Sequence, residues 1–145
     1  MVARPTPASP TSDDDAFWLL DQLQARHPEG AIIFGGTLAG ARGELAWQWG
    51  VGTDQLCEQD WSPAAARLDA LSHPVRLGLL QRVLNGTGGT AELADDPSLG
   101  TTGQLHHHLR ALVAGGWLVS VGRAQWAVPP PRVVPLLAVL AASLG

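Results

Sequence analysis

A mainly helical chain of the α+β class is what the sequence predicts, on three observations. Several stretches carry apolar residues at helical spacing, and two pairs of short β-branched or aromatic runs flank glycine-containing loops. The single cysteine, Cys57, excludes an intramolecular disulfide framework. With 145 residues, 46% of them hydrophobic and 15% charged, the chain has enough apolar material for a core of its own. A folded chain of this size buries roughly 70% of the surface it exposes when unfolded.

The elements follow in order. Residues 1–15, with Pro5, Pro7, Pro10 and Asp13 to Asp15, have the composition of a loose tail and lack the apolar centre of a secretion signal. Residues 16–61 then read as an N-terminal extension made of a helix and a β-hairpin. Phe17, Trp18, Leu19, Leu20 and Leu23 fit a short amphipathic helix that stops near His27-Pro28. Ala31 to Leu38 and Glu44 to Val51 flank a Gly-containing loop as a hairpin, with Leu45, Trp47 and Trp49 on one face.

Residues 62–130 carry the densest signals. Ser62-Pro63 predicts an N-cap and first turn, opening a helix through Ala64, Leu68 and Leu71. Pro74 opens the next, with Leu77, Leu80 and Leu84 inward, Arg76 and Arg82 on the wet side, and Asn85-Gly86 as C-cap. A short helix from Thr90 is halted by Pro97. Thr101 and Gln104 have the spacing of a capping box before a helix through Leu105, Leu109 and Leu112, which Gly115-Gly116 ends. Trp117 to Val121 and Ala124 to Val128 form a hairpin around Gly122-Arg123. Residues 131–145 are a last apolar helix, expected to bury its face in a homodimer. Val133 to Leu144, interrupted by Pro135, is shorter than the roughly 20 residues a bilayer span needs, so no membrane partner is expected.

Helix, helix, short helix, turn, helix, hairpin is the order of a winged helix-turn-helix. In that arrangement the last helix enters the major groove of DNA and the hairpin reaches the neighbouring backbone. The charge distribution permits it. Residues 1–61 hold three Arg against nine acids, whereas residues 62–145 hold six Arg against four, so a net of −4 conceals a basic C-terminal part.

Three blocks also carry a family resemblance: Ala70-Leu71-Ser72-His73-Pro74-Val75-Arg76-Leu77, Glu92-Leu93-Ala94, and Leu105 through Val119. In order and spacing they resemble the ArsR family of bacterial regulators, over about 65 of the residues. The resemblance implies a homodimeric transcription repressor that releases double-stranded DNA on sensing a signal; two recognition helices would meet a pseudo-palindromic operator, and the single cysteine points to a reducing, cytoplasmic compartment. The resemblance does not imply a metal sensor here. Where metal-sensing members place cysteines, this chain has Ala94-Asp95-Asp96, and its last helix holds no His, Asp, Glu or Cys.

The expected DNA contacts are His106 and His107 on the helix face, Arg110 one turn on, Arg123 at the hairpin tip, Gln125 beside it, and Thr102 at the helix start. Gln104 has two readings, an adenine contact or the capping box. Adjacent helical residues point about 100° apart, so His106, His107 and His108 do not converge on one ion, and His108 reads as a packing residue. Trp18, Trp47 and Trp49 are candidates to wall a pocket for a small apolar effector, or else to form core. No phosphate loop, nucleophile elbow or catalytic Cys/His pattern is present, so neither catalysis nor a cofactor is expected. The competing reading is a winged-helix module that binds a protein.

Overall fold

The computed structural model describes residues 17–40 and 43–145. The expectation of a loose tail over residues 1–15 lies outside the described residues. The chain is mixed α and β: its described residues form helices and two separate antiparallel hairpins. Among the described residues no helix is long and apolar enough to cross a membrane.

Helix α1 (Trp18–Arg26) precedes strands β1 (Ala31–Leu38) and β2 (Leu45–Gly52). Their register pairs Phe34 with Trp49, Gly36 with Trp47 and Leu38 with Leu45, which puts the aromatic residues on one face of the hairpin. The Phe34 ring lies 5.5 Å from Trp47 and 5.7 Å from Trp49. The opposite face pairs Ile33 with Gly50 and Gln48 with Gly35. A Cβ on Gly50 would sit 3.0 Å from Ile33 Cγ1, and one on Gly35 would sit 2.9 Å from Gln48 Cβ. Each large side chain therefore needs the bare glycine across from it.

A one-and-a-half-turn helix, α2 (Thr53–Glu58), was not expected from the sequence, which offers no apolar period across so short a span. Helices α3 (Ser62–Leu71), α4 (Pro74–Leu84), α5 (Thr90–Ala94) and α6 (Thr102–Ala114) follow, with a 3-10 turn at Pro97–Leu99 before α6. Ser62 is the first residue of α3 and not its cap. The Asp60 carboxylate takes that role in part, accepting from the Ser62 N–H at 3.0 Å and its hydroxyl at 2.7 Å. These bonds favour the ionised form and hold Asp60 below its ordinary pKa.

The core joins Leu79, Leu80 and Val83 of α4, Leu93 of α5, and Leu105, Leu109 and Leu112 of α6 with Trp117, Leu118 and Val128. Close contact between α3 and the end of α6 depends on Gly115, whose added Cβ would lie 2.6 Å from the Ala70 Cβ. Strands β3 (Val119–Gly122) and β4 (Gln125–Ala127) form the second hairpin.

The last helix, α7 (Pro130–Leu144), closes the structure. Its Val133, Val134 and Leu136 are buried, and it packs on the β1–β2 hairpin as well as the helical core. A Cβ on Gly36 would sit 3.4 Å from Val134 Cγ1, so this glycine sets how closely helix and strand approach. Part of the apolar face assigned to a partner copy is thus covered within the chain. Leu137 and Leu144 remain exposed.

Candidate nucleic-acid interface

The start of α6 is fixed by a reciprocal cap. The Gln104 amide N–H donates to the Thr101 hydroxyl at 3.3 Å, and the Thr101 N–H donates to Gln104 Oε1 at 2.8 Å. Two backbone donors that helix geometry leaves orphaned are satisfied by these bonds. Gly100, at φ +84°, lets the chain turn into the cap. Leu105, Leu109 and Leu112 then anchor one face in the core.

The opposite side is open. Thr102, Gln104, His106, His107 and Arg110 are all exposed. Arg110 folds back along the helix, its Nε donating to the His106 carbonyl at 3.3 Å, so the two side chains share one strip. No Asp or Glu occurs between Thr102 and Ala114. Gln104 Oε1 is engaged in the cap, and the side-chain NH2 remains as a donor for a further bond.

The β3–β4 hairpin is held by α5. Thr90 donates its N–H to the Ala124 carbonyl at 2.9 Å, and its hydroxyl oxygen accepts from Trp126 Nε1 at 2.8 Å. Trp126 N–H donates to the Gly88 carbonyl at 2.9 Å, and a Cβ on Gly88 would lie 2.6 Å from the Trp126 oxygen. Arg123 is exposed in the turn beside Ala124, which adopts φ +55°. Gln125 is also exposed; it pairs with Gly122 directly beside the turn and bridges to Gly89. Arg123 and Gln125 therefore lie at the same end of the hairpin.

Arg82 departs from its expected solvent-facing role. Its guanidinium pairs with Asp96, donates to the Ser98 hydroxyl at 3.1 Å and reaches the Gly78 carbonyl at 3.2 Å. Asp96 also accepts from the Ser98 hydroxyl at 2.6 Å and N–H at 2.9 Å. The Ser98 bonds, with a smaller part from Arg82, hold the Asp96 carboxyl below its ordinary value. This network braces α4 against the turn that leads into α6. Arg76 is likewise not free in solvent: it is half-buried, with Nη1 donating to the Asp69 carbonyl at 3.3 Å.

The expected aromatic pocket does not form. Trp18 borders a cleft of about 520 Å³ with Leu23, Arg26, His27, Ile33 and Gln48. Trp47 and Trp49 lie on the other face of the hairpin, because alternation along β2 turns them away from Gln48. A second, apolar groove of about 860 Å³ runs between α4 and α7, lined by Leu77, Leu80, Leu84, Leu136, Leu137 and Leu140 among others. Among the described residues no three His, Cys, Asp or Glu side chains are grouped to hold a metal ion.

The chain matches no protein-family model and no curated protein.

Proposed function

We propose that the chain is a winged helix-turn-helix regulator of the type the ArsR-like blocks imply. It binds double-stranded DNA through α6 and the β3–β4 hairpin. The observation that carries this reading is the division of α6 into a buried leucine face and an exposed strip bearing His106, His107 and Arg110 without a carboxylate. Such a strip donates hydrogen bonds to phosphates and base edges and repels neither. Arg123, exposed at the hairpin turn, supplies the backbone contact beside it. Thr102, at the first turn of α6, offers a hydroxyl and a helix N-terminus to a phosphate.

The DNA-binding species is a homodimer, in line with the exposed Leu137 and Leu144 of α7, the leucine groove beside them, and Trp18, Leu19 and Leu20 of α1. Paired copies of α6 would then meet half-sites about 34 Å apart on a pseudo-palindrome.

The test is fluorescence anisotropy with labelled DNA from upstream of the chain's own gene against random competitor. The expected result is a preference of roughly a thousandfold, the low end for a specific regulator. Absence of binding to any duplex at low salt rejects the reading. Val113, Val119 and Val121, also exposed, favour the second reading of a protein-binding module in that event.

A further inference from the structure

Not every basic residue of α6 faces outward. His108 is half-buried, and its ring centre lies 4.5 Å from that of His73 at the α3–α4 corner and 5.5 Å from that of His107. His73 caps α4: its Nδ1 accepts the Val75 N–H at 3.1 Å. A nitrogen that accepts carries no proton, so the His73 ring performs this role only as the neutral Nε2–H tautomer. An imidazolium would point N–H at N–H, and would set a cation at a helix N-terminus, where the macrodipole opposes it.

The surroundings of His108 are one-sided. Among the described residues, its buried Nδ1 and the buried Nε of Arg76 have no hydrogen-bond partner. The charged or titratable groups that act on it are His73 and Arg76 from the α4 side and His107 from its own helix. The other charged side chains on the helices packed against α6 are Arg67 and Asp69 of α3, Arg82 of α4 and Glu92 of α5, and the neighbours that shift His108 are all basic. Burial first, then these neighbours, hold His108 below its ordinary value of 6.5.

We propose that His108, half-buried against His73 and Arg76, makes the seat of α6 sensitive to protons, so that its protonation crowds cations beneath α6 beside the cap on α4 and weakens the DNA-binding surface. The functional half of this inference rests on the DNA-binding reading, whereas the structural half does not. The direction follows from linkage. A histidine whose folded pKa is depressed contributes stability that is complete above its unfolded value near 6.5 and is lost as the pH falls below it.

The experiment compares the full chain with a His73→Asn/His108→Gln variant by thermal melting, from about pH 7.5 to about pH 5.5, across the range where ordinary histidines titrate. Asn retains a cap acceptor, and neither replacement titrates. The wild-type Tm should fall by several degrees toward acid while the variant stays nearly level. Parallel curves overturn the proposal. If the double variant does not fold, NMR titration of the His108 ring in the His73→Asn protein decides instead, and a midpoint at or above the ordinary value overturns it.

A second arm measures affinity for a mixed-sequence duplex at both pH values. On going to the lower pH the variant should gain several-fold in affinity relative to the wild type, in which protonated His108 disturbs the seat of α6. Equal gains overturn the functional half. If neither protein binds DNA at either pH, the DNA-binding reading fails, and the melting curves still decide the cluster.

Discussion

The indole N–H of Trp117 donates to the backbone carbonyl of Arg67 at 2.8 Å, joining the exit of α6 to α3 across fifty residues of chain. Trp117 is buried, and the Arg132 guanidinium of α7 lies 5.8 Å from its ring centre. One side chain therefore ties together three helices. Trp117→Phe, which keeps much of the apolar contact but removes the donor, should cost about 1–3 kcal/mol in urea unfolding. A change within a few tenths would show that the bond adds nothing.

Gly115 is a spacing residue. Its φ of −74° is open to any amino acid, so only the Ala70 Cβ at 2.6 Å and Trp117 Cδ1 at 3.1 Å from an added Cβ forbid a side chain. Gly115→Ala should destabilise by about 1–3 kcal/mol through overpacking. Adding Ala70→Gly should recover part of the loss, and a purely additive pair would place the strain elsewhere.

Gln104 separates capping from base reading. Gln104→Ala should lower stability by about 1 kcal/mol, as the loss of a helix cap does, while leaving the ranking of operator variants unchanged. A changed preference at a single base pair, with unaltered melting, would assign the side chain to DNA.

Arg123→Ala should reduce affinity on every duplex and lessen the slope of log K against log salt by about one. The melting temperature should not move, since the side chain is exposed in the turn. An unchanged slope would remove Arg123 from the interface.

The proposed dimer is best tested at Leu137, which is exposed although α7 as a whole is built into the core. Leu137→Arg should yield monomers in sedimentation and leave the far-UV spectrum intact. Deleting α7 is a poorer test, because it would also strip Val133, Val134 and Leu136 from the interior. A dimer that survives Leu137→Arg would move the contact to α1.

Local signals were legible in the sequence, and arrangements between distant segments were not. The cap of α6 could be read because Thr101 and Gln104 are three residues apart and satisfy each other. The exposed strip of His106, His107 and Arg110 followed from the leucine period on the same helix. Arg82 was misread as solvent-facing because its partners, Asp96 and Ser98, are supplied from beyond its own helix. The three tryptophans could not be sorted by residue type alone, since strand alternation and the placement of α1 decide which face each one meets. The His73–His108 contact has only a faint sequence signal, a histidine rather than a serine or aspartate immediately before a helix-opening proline.

The seating of Val134 over Gly36 also shapes how the chain reaches its folded state. These two positions are far apart in sequence, and bringing them together closes a very long loop whose entropic cost must be met before the contact is formed. The helical segment from α3 to α6, by contrast, closes shorter loops, the Trp117–Arg67 bond spanning fifty residues. Docking of α7 onto the hairpin should therefore come after the rate-limiting step. Trimming Val134 to Ala should then accelerate unfolding and leave the refolding arm of a chevron almost unmoved. On that basis, the lifetime of the native state is set at the seam between the hairpin and α7, and the speed of its formation by the helices between them.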